Sequence, residues 1–173
     1  MPKEKQKQLL DAAAVLNNPD FSFSSEKKSI MPPSVFSELK DLRARLLADN
    51  ALRNSLLILR EPKKEFLAKA KESAKKLNTM LSKADFDVLS LAIELKEGKE
   101  SFSVVTDDYS LQNVLSFLKI KFEPSLHKGI NRHFVLKRKC RNCGKPLPKS
   151  FTKKAFCGKI PEGNSCDFCG NEN

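Results

Sequence analysis

Four of the five cysteines fall into two C-x-x-C pairs, Cys140 with Cys143 and Cys166 with Cys169. Each pair is followed by a glycine, Gly144 or Gly170, and 22 residues separate the pairs. Four thiolates at this spacing form a tetrahedral Zn²⁺ cage, and the glycines let backbone amides approach the sulfurs. A closed Cys₄ site has no open position, so this zinc is structural. Paired disulfides are the rival reading, disfavoured in a chain that otherwise reads as intracellular. Cys157 is left over, as a spare thiol or as a substitute for one of the four ligands.

A second constellation is acidic. Asp11 follows Leu9-Leu10, and Asp107-Asp108 follow Val104-Val105-Thr106. Both positions lie just past apolar runs that read as strands, at the carboxyl edge where open parallel sheets gather ligands. Glu38 and Asp85 sit near the starts of two predicted helices that begin at the same edge. Each acid also has a structural reading. Asp107 or Asp108 can cap the helix that follows, Ser82 and Asp85 match an S-x-x-D capping box, and Glu38 suits the positive end of a helix dipole. Spacing to Val35 and Leu42, and to Leu81, Val88 and Leu89, places Glu38 and Asp85 on apolar, inward faces. No Lys or Arg shares those faces. Several buried carboxylates repel one another, and a divalent cation resolves the conflict. Oxygen-only ligands suit Mg²⁺ or Mn²⁺.

The elements that must position these groups are legible in the hydrophobic pattern. Lys7 to Leu10 reads as a strand and Ala12 to Leu16 as a short helix closed by Asn17-Asn18-Pro19. Ser29 to Met31 reads as a second strand. From Pro33 onward, Val35, Phe36, Leu39, Leu42, Leu46 and Leu47 recur at helical spacing. Leu56 to Leu59 reads as a buried strand, followed by a Lys-rich helix to about Leu77 whose lysines form a solvated face. Ser82 opens a helix that stops near Gly98. Phe102 to Thr106 is a strand, Asp108 to Lys119 a helix and Ile120 to Glu123 a last strand. Alternating strands and helices predict an α/β layer with a mostly parallel sheet.

Composition divides the chain. Of the 48 Leu, Ile, Val and Phe residues, nine lie in residues 128–173, which carry 11 basic and 3 acidic side chains. So little apolar surface cannot offset the chain entropy of that segment without a staple, which the cysteines supply. The expected organisation is a globular domain over 1–125, a basic linker over 126–139 and a zinc ribbon over 140–173. No apolar run approaches the roughly 18 residues of a membrane span, and none follows a basic leader. The expectation is a soluble, cytoplasmic protein.

The order Leu9-Leu10-Asp11-Ala12-Ala13, Pro33-Ser34-Val35-Phe36-Ser37-Glu38-Leu39, Leu81-Ser82-Lys83-Ala84-Asp85 and Val105-Thr106-Asp107-Asp108-Tyr109-Ser110 is similar to that of the PIN-domain nucleases. The string T-D-D-Y-S-x-Q-N-V, with a cysteine ribbon behind it, narrows the likeness. Over nearly its whole length the chain resembles the archaeal-type Nob family of ribosome-assembly endonucleases. The resemblance implies a PIN-like domain with a zinc ribbon, and a metal site of Asp11, Glu38, Asp85 and Asp108. Asp107 takes a position that varies in that motif. The implied activity is hydrolysis of a phosphodiester at the 3′ end of small-subunit rRNA, leaving a 3′-hydroxyl and a 5′-phosphate, with Mn²⁺ or Mg²⁺ activating the water. Family members often carry an aromatic-basic run before the first knuckle; this chain has no Trp, and Phe134-Val135-Leu136 takes that place. His127 and His133 lie outside these motifs and read as surface or linker residues.

Lys137, Arg138, Lys139 and Arg141 crowd the first knuckle, with Lys145, Lys149, Lys153 and Lys154 beyond. Such a concentration gives salt-dependent affinity for phosphates and points to RNA, expected in precursor rRNA or a pre-ribosomal subunit with other assembly factors. The interleaved Phe134, Phe151, Phe156 and Phe168 read first as the small core of the ribbon, with exposed rings stacking on unpaired RNA bases as the alternative. Two other functions fit parts of the pattern. A VapC-type PIN toxin has the acids, but such toxins are usually bare PIN domains. A non-catalytic RNA-binding assembly factor would need an incomplete acidic set.

Overall fold

The computed structural model describes residues 6–126, 129–130, 132–135 and 142–145. The chain divides into two compact units, Met1–Phe134 and Val135–Asn173. In the first, β1 (Lys7–Leu10), α1 (Ala12–Leu16), β2 (Lys28–Met31), α2 (Pro33–Glu38), α3 (Leu42–Arg53) and β3 (Leu57–Leu59) are followed by α4 (Lys64–Lys76), α5 (Lys83–Glu97), β4 (Phe102–Val105), α6 (Tyr109–Phe117) and β5 (Phe122–Glu123).

The five strands form one sheet in the order β3-β2-β1-β4-β5, and all four ladders are parallel. Leu9 lies between Ile30 and Val104, and Leu10 pairs with Val105. Strands running two ways outward from β1 create a switch of direction between β1 and β4. Ligands in such sheets bind beyond the carboxyl ends of that pair. Leu9, Leu10, Met31, Leu89, Leu91, Leu95, Leu111 and Leu115 are fully buried around it. The long α5 is buried over most of its circumference from Val88 to Leu95, as an internal helix must be.

The elements fall close to their predicted places, with three instructive differences. The helical pattern after Pro33 is two helices. Leu39, at φ −72° and ψ 77°, leaves the helical region, and Asp41 caps α3 by accepting from the Ala44 amide at 2.9 Å. In α3 the buried stripe is Ala44, Ala48 and Ala51, while Leu42 and Leu46 are 73% and 54% exposed. The small side chains let this helix pack closely, with Leu47 and Leu52 half-buried against the core and Leu42 and Leu46 turned outward. The second difference is β3, an edge strand with Ile58 exposed, although its sequence reads as buried.

The third concerns helix ends. Gly98 has φ −71°, and it is Lys99 that takes the left-handed conformation at φ 56°. Ser55, Asn78 and Lys119 do the same after α3, α4 and α6. In each case that residue's amide bonds three residues back, and the next amide bonds five back, as in Lys99 to Lys96 at 3.0 Å and Glu100 to Leu95 at 3.0 Å. Four Schellman closures therefore rest on residues with a Cβ, each at a steric cost of about 1 kcal/mol.

The lysines of α4 form the expected solvated face, with Lys69 paired to Glu97 and Lys76 to Glu72, while Phe66, Ala70 and Ala74 face inward. Among the described residues no helix is long and apolar enough to cross a membrane. In the second unit, Asn142 and Cys143 form a turn and Gly144 has φ +70°, a conformation suited to glycine after a knuckle. Lys137, Arg138, Lys139, Cys140, Arg141, Cys157, Cys166 and Cys169 lie outside the described residues, as does His127.

Candidate active site

Asp11 stands at the step from β1 to α1. It caps that helix, with Oδ1 accepting from the Ala12 amide at 2.6 Å, and it is 4% exposed. Its other oxygen, Oδ2, accepts from the Thr106 hydroxyl at 2.7 Å. Thr106 follows β4, so this bond spans the two strands at the switch point. Thr106 Oγ1 also accepts from the Asp108 amide at 3.1 Å. One buried hydroxyl thus sets the positions of Asp11 and Asp108 together.

Asp108 caps α6, with Oδ1 accepting from the Ser110 amide at 2.8 Å. Asp85 sits in the first turn of α5 and completes a capping box. Its Oδ2 accepts from the Ser82 amide at 2.8 Å, and its own amide donates to the Ser82 hydroxyl at 3.1 Å. Capping and clustering coincide, because the three helices α1, α5 and α6 aim their amino ends at one edge. Those ends carry partial positive charge, which favours carboxylates there and also favours phosphate.

The electrostatics identify which acids lie together. Burial lifts the Asp11 carboxyl from 3.8 to about 6, opposed by the Thr106 hydrogen bond and reinforced by the negative charges of Asp85 and Asp108. Asp108 is also raised, by burial first and then by Asp85, against the hydrogen bonds from Ser110 and Leu111. Asp11, Asp85 and Asp108 therefore form one repelling set. Glu38 is not among the charges that raise Asp11 or Asp108. It is the exposed last residue of α2, contrary to the inward face that spacing to Val35 and Leu42 predicts, because the helix ends before Leu42. Its helix is nonetheless tied to α5 by Ser34, whose hydroxyl donates to Asp87 at 2.6 Å. Asp107 turns to the other side, where Oδ1 accepts from the amides of Ser125 and Leu126 at 2.8 and 3.2 Å.

A divalent cation fits this donor set in kind. The donors are all carboxylate oxygens, none of the three is in an ion pair among the described residues, and burial, reinforced by its neighbours' charge, raises the most buried of them. The set is open: among the described residues no three His, Cys, Asp or Glu side chains converge tightly enough to cage an ion. Mg²⁺ is commonly held this way, by one or two carboxylates with water and substrate phosphate completing the shell.

Three residues of the T-D-D-Y-S-x-Q-N-V string had no role assigned from the sequence. Thr106 is 0% exposed, and its role depends on a partner 95 positions away. Gln112 and Asn113, 1% and 0% exposed, grip the chain beyond β5. Gln112 Nε2 donates to the Thr106 carbonyl at 2.9 Å while its Oε1 accepts from the Ile130 amide at 3.1 Å. Asn113 pairs with both main-chain groups of Phe134. Two polar amides on the inward side of an otherwise apolar helix were the available signal. His133 is exposed, its ring edge-on to Phe117 at 5.5 Å.

Comparison with known proteins agrees with this geometry. Residues 9–95 match the family model described as the PIN domain of ribonuclease. The chain is 29% identical over 167 residues to Endoribonuclease Nob1 of Methanothermobacter thermautotrophicus, spanning 95% of this chain and 90% of that protein. It is 32% identical over 165 residues to Endoribonuclease Nob1 of Pyrococcus abyssi, spanning 94% and 92%. It is also 32% identical over 145 residues to Ribonuclease VapC1 of Thermoplasma acidophilum, spanning 83% and 65%. That alignment is longer than the nuclease domain expected here, so a C-terminal appendage does not by itself separate the two names.

Proposed function

The chain belongs to the PIN-domain endoribonucleases of the Nob1 kind, and from that premise we propose that it matures the 3′ end of small-subunit ribosomal RNA during ribosome assembly in the cytoplasm. The observation that carries the reading is the convergence of Asp11, Asp85 and Asp108 at the β1/β4 switch point, with the Asp11 carboxyl raised to about 6.

PIN nucleases work with divalent cations, and here Asp11, Asp85 and Asp108 would hold Mn²⁺ or Mg²⁺, with Glu38 as the fourth carboxylate. When bound, such a cation lowers the pKa of a water and offsets charge on the phosphoryl and leaving oxygens. The protein's own groups do the rest. Thr106 and the Ala12 amide hold both oxygens of Asp11 in place. The amino ends of α1, α5 and α6 draw the phosphate towards the carboxylates. No histidine is required as a proton carrier. In the C-terminal unit, Cys140, Cys143, Cys166 and Cys169 hold a structural Zn²⁺, and Lys137, Arg138, Lys139 and Arg141 bind RNA phosphates. Nob1 relatives spanning nearly the whole chain favour precursor rRNA as the substrate. The VapC1 relative supports a second reading, a ribonuclease of that type acting on another RNA.

The test is cleavage of labelled RNA spanning the 3′ end of small-subunit rRNA, with Mn²⁺, with EDTA, and with Asp11→Asn and Asp108→Asn. One cut, lost in EDTA and in both variants, supports the assignment. Metal-dependent cutting of unrelated structured RNA with that end left intact favours the VapC-type reading. Absence of any metal-dependent cut refutes both.

A further inference from the structure

Phe134 is fixed through its main chain and left open at its side chain. Asn113 Nδ2 donates to the Phe134 carbonyl at 2.8 Å, and Asn113 Oδ1 accepts from the Phe134 amide at 2.7 Å. The same Nδ2 donates to Thr79 Oγ1 at 3.3 Å, which brings the segment before α5 to the same point. Yet the Phe134 side chain is 44% exposed, and Met80, next to Thr79, is 59% exposed. The expectation that Phe134 fills a ribbon core is therefore not met. It ends the first unit and faces solvent there.

A fully buried primary amide is costly unless its hydrogen bonds are made, and here those bonds are made to an exposed segment. Gln112 repeats the arrangement one residue earlier by gripping Ile130. Between these two anchor points the strap displays Arg132 and His133, both exposed. An exposed aromatic ring on a main chain held in place by Asn113 is a platform for the flat face of a base. Asn113 lies five residues beyond Asp108 on the same helix, about 7.5 Å along its axis. That distance is about the rise of two stacked nucleotides.

We propose that Phe134 is a stacking shelf for an unpaired nucleotide of the RNA strand whose phosphate lies at the carboxylate cluster. The proposal rests on the ribonuclease reading above. Single-stranded RNA is the fitting ligand, because only an unstacked base offers its face to a side chain. The shelf then selects an unpaired nucleotide close to the scissile bond and leaves the sequence unread.

The test is binding of the zinc-loaded full chain to a fluorescent single-stranded RNA in buffer without Mn²⁺, Mg²⁺ or chelator, with a gel checking that nothing is cut, read by anisotropy. Phe134→Ala is expected to weaken binding about tenfold, the scale of one base–aromatic stack, and Phe134→Tyr to restore it within about twofold. Affinity for a duplex of the same sequence stays unchanged. Removing single bases along the strand should reveal one position that weakens wild type and leaves Phe134→Ala unaffected. Because Asn113 holds only the main chain of Phe134, the variants keep the fold, which thermal melts check. Equal single-strand affinity of wild type and Phe134→Ala overturns the shelf while leaving the nuclease reading intact. A wild type that neither binds RNA nor cuts it overturns both.

Discussion

Replacing Asp11 by Asn should make this protein more stable and inactive, and the size of the gain follows from the site. In the folded chain the Asp11 carboxyl is held at about 6 against an ordinary 3.8. The folded state therefore binds more protons than the unfolded state between those values. Stability falls as pH rises through that window, the opposite of a salt-bridged aspartate. Each pH step of one is worth about 1.4 kcal/mol, so ionising Asp11 in the metal-free fold costs about 3 kcal/mol by neutral pH. Asn carries no charge and avoids that cost. It keeps an oxygen for the Ala12 amide but turns an N–H₂ towards Thr106, whose hydroxyl must reorient, a loss of about 1 kcal/mol.

The net expectation is that Asp11→Asn is about 2 kcal/mol more stable than wild type in EDTA at pH 7.5. The advantage shrinks to zero or below at pH 3.5, where both chains are neutral at this position. Urea unfolding of the two proteins at both pH values measures it. Millimolar Mn²⁺ should then narrow the gap at pH 7.5 by stabilising wild type selectively, since a ligand bound only by the folded state adds stability by mass action. A variant less stable than wild type at pH 7.5, or a difference independent of pH, would refute the argument that like charge and burial strain this site.

Three further outcomes follow from the geometry. Thr106→Val should lower RNA cleavage about 10- to 100-fold, as loss of a group that orients a metal-binding carboxylate does. It should also cost about 1–3 kcal/mol, because the Asp108 amide and one Asp11 oxygen lose their shared partner. Glu38→Gln should leave stability within about 0.5 kcal/mol, since the side chain is exposed. If Glu38 is the fourth carboxylate, the variant needs more Mn²⁺ to reach half-maximal cleavage; an unchanged metal titration removes Glu38 from the site. Lys99→Gly should raise stability by about 1 kcal/mol with unchanged cleavage, because it relieves a left-handed residue far along the chain from the acids. A thermal melt that moves down instead would show that the Lys99 side chain contributes more than its backbone costs.

Much of this fold was legible because its signals are local. Short segments ending or rich in apolar residues marked the strands, and Ser82 with Asp85 marked the start of α5 from four adjacent residues. The errors came where two elements shared one period. Leu39, Leu42 and Leu46 continue a helical spacing across a break that only the backbone at Leu39 reveals. The acids at 11, 85 and 108 could be grouped because strand ends and helix starts share an edge in any parallel sheet. Glu38 was placed with them by a face argument that failed once its helix proved to be six residues long. Thr106, Gln112 and Asn113 escaped because their partners lie at Asp11, Ile130 and Phe134, and no spacing rule reaches that far.

The helix caps and the metal-seeking acids need not be weighed as rival explanations. Each of Asp11, Asp85 and Asp108 caps or closes the first turn of a helix, and each belongs to the repelling set. The amides fix one oxygen of every carboxylate by bonds that hold whether or not an ion is present. Their partial positive charge makes three nearby anions tolerable in the empty fold. Burial first, and then the repulsion that remains, raise Asp11, and cation binding can release that free energy. A cluster neutralised by lysines would be more stable and would bind no ion. By using helix ends in place of lysines, the sequence keeps the carboxylates together and leaves their charge available.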